Sequence, residues 1–159
     1  MSTSIAPPPV TLRAAVDGDL ADVERLLVAS SLPVIGVAEA LCSFVVAESD
    51  GRLVGVVGLE ICCEYALLRS TAVAPEWRDR GLGRRLVERI IGEAEARGIC
   101  ALYLLTTTAE RYFPSFGFAK MTRDAVPAPV RQTAEFQGAC PTSATVMCLT
   151  LNSPSQPSA

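Results

Sequence analysis

Hydrophobic residues recur along the chain with two spacings, one typical of helices and one typical of strands. In the first half, the strand-like segments are residues 10–14, 43–48, 52–60 and 65–73. A Ser-Asp-Gly turn joins the second segment to the third, which predicts a β-hairpin. Residues 17–30 place their leucines and valines on one helical face, and Asp17 or Asp19 is positioned to cap that helix. The last three strands should form an antiparallel meander.

The second half carries the most strongly amphipathic helix of the chain, which begins near Leu82 and ends before Gly98. Its apolar face consists of Leu82, Leu86, Val87, Ile90, Ile91 and Ala94. The apolar run 99–105 predicts a strand that is buried on both faces and parallel to the strand before the helix. The remaining predicted elements are a short helix near Ala109, a strand from Gly117, a helical segment at 127–136 and a last strand at 143–151. The predicted fold class is therefore α/β, with a mixed, mostly antiparallel sheet flanked by helices.

Composition limits the chain to one domain. Its 159 residues, half of them hydrophobic, suffice for one core and leave no room for a second. That domain should span residues 10–151, with disordered ends at 1–9 and 152–159. A net charge of −3 provides no basic field for nucleic acid. Because we find no leader peptide and no apolar run long enough to cross a membrane, we expect a cytoplasmic protein, with a homodimer among the expected assemblies.

Cysteine and histidine usage argues against a metal centre. The chain contains no histidine, and its six cysteines never form a C-x-x-C pair. Four cysteines lie within apolar segments, where cysteine behaves as a small hydrophobic residue: Cys42, Cys62, Cys100 and Cys148. Cys63 and Cys140 have more polar neighbours, and their roles stay open. We therefore expect no metal cofactor.

Residues 72–86 have the order of a phosphate cradle: the end of a strand, a basic turn with two glycines and the start of a helix. Glycines let the backbone approach a phosphate, and the N–H groups of a first helical turn donate to it. A dinucleotide fingerprint is disfavoured because Leu86 stands where glycine or alanine is needed. A nucleotide P-loop is disfavoured because two arginines follow Gly83 instead of lysine and a hydroxyl residue. The remaining pattern is R-x-x-G-x-G at residues 78–83.

This pattern resembles the acyl-CoA loop of the GNAT superfamily of N-acetyltransferases. A second motif supports the resemblance, because F-P-S-F-G-F at residues 113–118 stands where GNAT enzymes carry a short helix of the type Y-x-x-x-G-F. The resemblance covers about residues 10–151 and implies the GNAT fold, with acetyl-CoA as co-substrate. The residues that it implies for cofactor binding are Ala72, Val73, Arg78, Asp79, Arg80, Gly81, Leu82, Gly83, Arg84 and Phe113.

A finer resemblance is to the arsenic-resistance branch of GNAT proteins. It rests on segments outside the cofactor motifs, namely residues 67–70, 102–110, 126–136 and 140–144. It implies acetylation of the amine of a small molecule, with an amino-acid-like organoarsenical as a candidate acceptor, as a contribution to arsenic resistance. Cys62 and Cys63 are adjacent and should point to opposite sides of a strand, which argues against joint chelation of trivalent arsenic.

Acetyl transfer needs a base for the amine, a hydrogen-bond donor for the developing oxyanion and an acid for the departing thiolate. The resemblance assigns the oxyanion donor to a backbone N–H at about Val73. Because the chain has no histidine, the base is a carboxylate or a water chain. Glu60 is the first carboxylate candidate, with Glu64 and Glu135 behind it.

The acid is the point at which the chain departs from the family pattern. Phe113 occupies the usual tyrosine position and has no proton to donate. Tyr112 is adjacent, but one residue along a helix turns a side chain by about 100°, which would point it away from the sulfur unless the backbone is distorted near Pro114. Tyr112, water and Cys140 all stay open as proton donors, as does slow transfer. A non-catalytic module that binds CoA or an arsenical is the alternative function.

Arg69 is the main candidate for acceptor recognition. It lies in an otherwise apolar strand, where an unpaired guanidinium is costly, so it should face either an internal carboxylate or a carboxylate of the ligand. We give the two alternatives equal weight. Thr107, Arg131 and Cys140 are further candidates for acceptor binding at the same cleft.

Overall fold

The described residues form a seven-stranded sheet. The computed structural model describes residues 9–107, 109–139 and 143–151. The strands are β1 (Thr11–Ala14), β2 (Phe44–Ser49), β3 (Arg52–Cys62), β4 (Tyr65–Val73), β5 (Ala101–Thr106), β6 (Ala119–Met121) and β7 (Thr145–Thr150). Their order is β1-β2-β3-β4-β5-β7-β6, and β4 with β5 is the one parallel pair among them. The predicted mixed, mostly antiparallel α/β sheet is confirmed.

Helices cover both faces of this sheet. The α-helices in the described residues are α1 (Leu20–Ala29), α2 (Val37–Ala40), α3 (Leu82–Ala96) and α4 (Ala128–Arg131). α3 buries its predicted apolar face in a cluster that contains Val45 of β2, whereas α1 and α2 pack in a second cluster that contains Val46. Because successive residues of a strand point to opposite faces, the two clusters lie on opposite sides of the sheet. Ile91 of α3 is only half-buried and marks the margin of the predicted face.

The predicted hairpin and the predicted parallel strand are confirmed. β2 and β3 pair around Asp50 and Gly51, whose positive φ angles of 51° and 73° close the tight turn. Gly58 allows the hairpin to pack on itself, since a Cβ there would lie 2.3 Å from the ring of Phe44. β4 runs parallel to β5 from Tyr65. Within the described residues, no helix combines the length and apolarity needed to cross a membrane.

Two predicted elements of the second half are corrected. The helix expected near Ala109 is instead a 3-10 helix at Phe113–Phe116, because residues 109–112 form only a turn, in which the Tyr112 N–H donates to the Ala109 carbonyl at 3.0 Å. The helical segment 127–136 is interrupted, since α4 ends at Arg131 and a π-helical turn follows at Glu135–Ala139. The last strand, predicted at 143–151, is confirmed as β7 (Thr145–Thr150), and it lies between β5 and β6.

Two side-chain predictions also need correction. Asp19 precedes α1, but its carboxylate accepts hydrogen bonds from Arg13 and from the Val16 N–H and makes no capping bond to α1. Cys42 is exposed, whereas Cys62 and Cys100 are buried as predicted and Cys148 is half-buried. The 3-10 helix Leu41–Ser43 turns Leu41 inward, which places the following cysteine outside. The ends predicted as disordered lie outside the described residues at 1–8 and 152–159.

Candidate active site

A cavity opens where β4 and β5 stop pairing. The two strands are hydrogen-bonded only from Tyr65 to Leu67 on β4, after which they diverge. The space between them, about 270 Å³, is bounded by Leu68 to Thr71 of β4 and Leu104 to Thr106 of β5. Its remaining walls are Leu32, Pro33, Ala109, Tyr112, Phe113 and Glu135. We call this space the splay cavity.

The backbone of β4 is distorted beside the splay cavity. Its pairing with β3 slips between Val56 and Gly58, and Ser70 opposite this slip has a positive φ of 62°. The hydroxyl of Thr71 is buried in the cavity wall and has no hydrogen-bond partner among the described residues. A buried hydroxyl without a partner is costly, so this atom marks a place where a ligand's polar group could bind.

The backbone N–H of Val73, predicted as the oxyanion donor, lies on the edge of β4 that faces away from β3. The Ala74 N–H donates to the Val54 carbonyl on β3 at 2.8 Å. Because backbone groups of a strand alternate in direction, the N–H of Val73 points to the opposite edge, toward the gap left by β5. Arg78 Nε donates to the Val73 carbonyl at 3.2 Å. This contact joins the free edge of β4 to the glycine loop.

The glycine loop forms a second cavity, of about 420 Å³, at the start of α3, which we call the cradle. It is lined by Val73, Trp77, Arg78, Asp79, Gly81, Leu82, Gly83, Arg84 and Tyr112. Asp79 and Gly81 have φ angles of 63° and 79°, and this left-handed turn starts the helix without a capping side chain. The N–H groups of the first helical turn are therefore directed at the cradle, as an anion site requires.

Two arginines of the glycine loop lie over aromatic rings. Arg80 lies over the ring of Trp77 at 5.3 Å, and Arg84 lies over the ring of Phe116 at 4.5 Å. The side chain of Ala72, also predicted at the cofactor site, is buried in the cluster with α1 and α2 and does not line the cradle. The other predicted cofactor residues are divided: Arg80 and Phe113 do not line the cradle, whereas the following do: Val73, Arg78, Asp79, Gly81, Leu82, Gly83 and Arg84.

Tyr112 faces both cavities. Its hydroxyl lies 3.6 Å from the position that a Cβ on Gly83 would occupy, and its side chain lines the cradle and the splay cavity. Burial raises the pKa of Tyr112 above its usual value of 10, while Arg84 opposes the shift and Glu88 adds to it. Phe113 is buried, packs against Phe118 with ring centroids 5.6 Å apart and contributes only an apolar wall to the splay cavity. The phenol that faces the cleft therefore carries its proton at neutral pH.

Arg69 is paired internally with two carboxylates. Its side chain is fully buried, and Nη1 lies 2.9 Å from Glu60 while Nε lies 3.0 Å from Glu135. Nε also lies 3.0 Å from the Ser70 hydroxyl. Glu60 keeps 25% of its side-chain surface exposed, whereas Glu135 keeps 6%. The internal salt bridge, one of the two alternatives for Arg69, is present, and Arg69 also lines the splay cavity.

Several other predicted residues lie elsewhere. Thr107 is exposed, and its neighbour Thr106 lines the splay cavity instead. Arg131 lines a separate surface cavity of about 350 Å³ together with Arg123. Glu64 lies in the turn between β3 and β4, beside Cys100 and away from both cavities. Cys140 lies outside the described residues, among which we find no cluster of three or more acidic or cysteine side chains arranged for a metal ion.

Sequence reasoning missed two functional candidates. Thr71 could have been found as a hydroxyl residue inside an apolar strand next to the proposed acyl site. Ser115 lies within the second motif and accepts a hydrogen bond from Arg84, a contact between segments that no local pattern signals.

Comparison with known proteins identifies the family of the chain. A family model described as the acetyltransferase (GNAT) domain matches residues 40–120, which include β2 to β5, the cradle and the 3-10 helix. The chain belongs to the GNAT acetyltransferase family. The match contains both motifs on which the sequence resemblance rests.

Curated relatives share this domain and are longer than the matched part. The amino-acid acetyltransferase of Shewanella oneidensis is 33% identical over 99 residues, which cover 59% of this chain and 22% of that protein. The ribosomal protein bS18 alanine N-acetyltransferase of Salmonella typhimurium is 33% identical over 78 residues, 46% of this chain and 53% of that protein. The chain thus spans about a fifth to a half of these relatives.

A solved structure has the same fold. N-acetylglutamate synthase from Neisseria gonorrhoeae, complexed with coenzyme A and N-acetylglutamate, superimposes with a TM-score of 0.78 at 24% identity. The superposition covers 93% of this chain and 36% of that one. The architecture of the two chains is therefore shared over nearly all of this chain.

Gly83 provides a test of the cradle. A Cβ there would meet Val73 and Tyr112 at 3.7 and 3.6 Å, which are ordinary contacts, so Gly83→Val should fold. Its side chain fills the space through which a phosphate approaches the helix N-terminus, so we expect CoA affinity measured by calorimetry to fall about 10-fold or more. Gly92→Val is the matched control, because it adds the same side chain to α3 in open space. Equal CoA affinity in the two variants would contradict the assignment of the cradle.

Proposed function

We propose that this protein is an acetyl-CoA-dependent N-acetyltransferase that acts on the amine of a small molecule. The observation that carries the proposal is the junction of two cavities at Tyr112, one at a helix N-terminus and one between diverging strands. A phosphorylated carrier bound in the cradle would reach the splay cavity along the free edge of β4.

The cradle fits the pyrophosphate of acetyl-CoA. The N–H groups of Leu82, Gly83 and Arg84 supply donors, and Gly81 and Gly83 leave the backbone accessible. Arg78 and Arg80 add positive charge at the rim. When bound, acetyl-CoA supplies an acetyl group activated as a thioester.

Three groups of the chain suit the chemistry of transfer. The Val73 N–H faces the gap and is placed to donate to the carbonyl oxygen. Tyr112, protonated at neutral pH, is placed between the two cavities to protonate the leaving thiolate. Glu60 is the proposed base and would act through water, because its carboxylate is held by Arg69 and its exposed part lines a separate cavity beside α2.

Arg69 is the proposed contact for an anionic group on the acceptor. Among the described residues, its Nη2 makes only a long contact of 3.5 Å with the Pro33 carbonyl, while its other nitrogens are engaged. An acceptor carboxylate at Nη2 would place the amine in the splay cavity. Thr107, Arg131 and Cys140 remain acceptor-site predictions from the sequence.

The finer acceptor identity rests on the sequence resemblance. We propose an amino-acid-like amine, including an organoarsenical, and hence a contribution to arsenic resistance. The relatives named for amino acids and for an alanine of a ribosomal protein support an amine that lies beside a carboxyl or peptide group. The cytoplasmic location and the homodimer also remain predictions.

The second candidate function is a module that binds CoA or an arsenical without turnover. Two observations favour it: Phe113 occupies the usual tyrosine position, and the carboxylate of Glu60 is already paired with Arg69. The enzyme and a module that binds CoA both require the cradle, so these two differ only in turnover.

Turnover separates the two candidates. Purified protein is incubated with acetyl-CoA and a panel of amines that includes glutamate-like, arsenic-containing and alanine-terminated acceptors. We expect thiol release that depends on one class of amine, with the N-acetylated product identified by mass spectrometry. CoA binding without thiol release from any amine would support the non-catalytic module and reject the enzyme.

Tyr112→Phe tests the proposed acid. We expect kcat for the best acceptor to fall about 10- to 100-fold while acetyl-CoA affinity is retained, since only a proton donor is lost. Because the pKa of Tyr112 is raised, its proton is present throughout the neutral range, and the contribution should disappear only above pH 10. Tyr65→Phe, at the far end of β4, is the matched control. Wild-type turnover by the Tyr112 variant would assign this residue to packing.

A further inference from the structure

The side chain of Arg84 connects the cradle to the segment that carries Tyr112. Arg84 belongs to the first turn of α3, but its guanidinium points away along the 3-10 helix. Nη2 donates to the Ser115 hydroxyl at 2.8 Å, and the guanidinium plane covers the ring of Phe116 at 4.5 Å. A polar bond and a cation–π contact therefore fix the same side chain.

A second hydrogen bond extends this connection to Tyr112 itself. The Ser115 hydroxyl donates to the Tyr112 carbonyl at 2.7 Å. The Tyr112 ring also meets Phe116 edge-on, with centroids 5.2 Å apart. Arg84, Ser115 and Tyr112 thus form one chain of hydrogen bonds, in which the charged donor polarises the hydroxyl that follows it.

This chain of contacts orients the Tyr112 side chain, which the sequence of the motif alone does not do. Tyr112 stands just before the 3-10 helix, where helical geometry alone does not fix its direction. The residue is 37% exposed, so core packing holds it only in part. The contacts from α3 hold its backbone and ring on the side of Gly83, where its hydroxyl meets both cavities.

We propose that Arg84 is a positioning residue that, through Ser115, holds Tyr112 as the proton donor and links its placement to the turn of α3 that binds the pyrophosphate. The proposal rests on the proposed N-acetyltransferase function. It assigns to Arg84 a role in turnover that is separate from cofactor affinity.

The charges around Tyr112 are consistent with this role. Arg84 and Glu88 of α3 act on the phenol in opposite directions, and Arg84 partly offsets the rise in its pKa caused by burial. The other charged side chains that line the two cavities are Arg69, Arg78, Asp79 and Glu135. Loss of Arg84 should therefore both release the Tyr112 segment and make the phenol a weaker acid.

The first test compares three variants at saturating acetyl-CoA. Arg84→Gln should lower kcat about 10-fold, and Ser115→Ala, which leaves the charge of the cradle unchanged, should lower it about 3-fold, because the proton donor is misplaced. Arg85→Gln removes the same charge from the exposed neighbouring position and should retain wild-type kcat. A fall in kcat that is equal for Arg84→Gln and Arg85→Gln would overturn the proposal in favour of a general charge effect.

The second test repeats Arg84→Gln and Ser115→Ala in a Tyr112→Phe background. If Arg84 acts through Tyr112, neither change should lower kcat further. Full additivity would overturn the proposal. Melting temperatures and acetyl-CoA affinity, measured for each variant, separate loss of folding or binding from loss of kcat. Amine-dependent turnover of the wild-type protein tests the proposed function independently, because it can be present whether or not Arg84 affects Tyr112.

Discussion

The functional architecture depends on the separation of β4 from β5. The parallel pair ends at Leu67 and Tyr103, after which β5 keeps β7 as its partner and β4 keeps β3. Backbone groups on the separated edges lose their ladder partners inside an otherwise apolar domain. The result is the splay cavity, a slot with a polar edge inside the core, which an extended ligand can enter. The unpartnered hydroxyl of Thr71 lies on the wall of this slot.

The buried charge of Arg69 holds the walls of the slot together. Its partners are Glu60 on β3 and Glu135 in the π-helical turn, so one guanidinium joins three parts of the fold. Removing one partner from a buried ion pair typically costs about 3–5 kcal/mol, because the remaining charge is left uncompensated. The arrangement therefore serves the fold whether or not the acceptor also contacts Arg69.

Part of this network could have been predicted from the hairpin alone. A two-residue turn after Cys62 pairs Glu60 with Leu67, which puts Arg69 diagonally across from Glu60 on the same face. Glu135 could not have been found in this way, because an irregular turn brings it to the slot from a distant part of the chain. In helices and strands a fixed repeat determines which residues share a face. The position of an irregular segment depends instead on its tertiary contacts.

The direction of the Tyr112 side chain could likewise not be predicted from the sequence. Counting about 100° for each residue assumes that Tyr112 and Phe113 share one α-helix. In the structure the 3-10 helix begins at Phe113, and packing against Phe118 turns Phe113 into the core. Tyr112 is thereby left facing the cleft, a result of aromatic packing that the motif does not encode. By contrast, the cradle was predicted because glycine spacing and a helix start determine its backbone directly.

The most direct test of the whole account is a crystal structure of the protein with CoA. The account predicts that the pyrophosphate binds the N–H groups at the start of α3, that the pantetheine arm follows the free edge of β4, and that the sulfur lies within hydrogen-bond distance of the Tyr112 hydroxyl. CoA bound elsewhere, or a sulfur directed away from Tyr112 and the splay cavity, would contradict it.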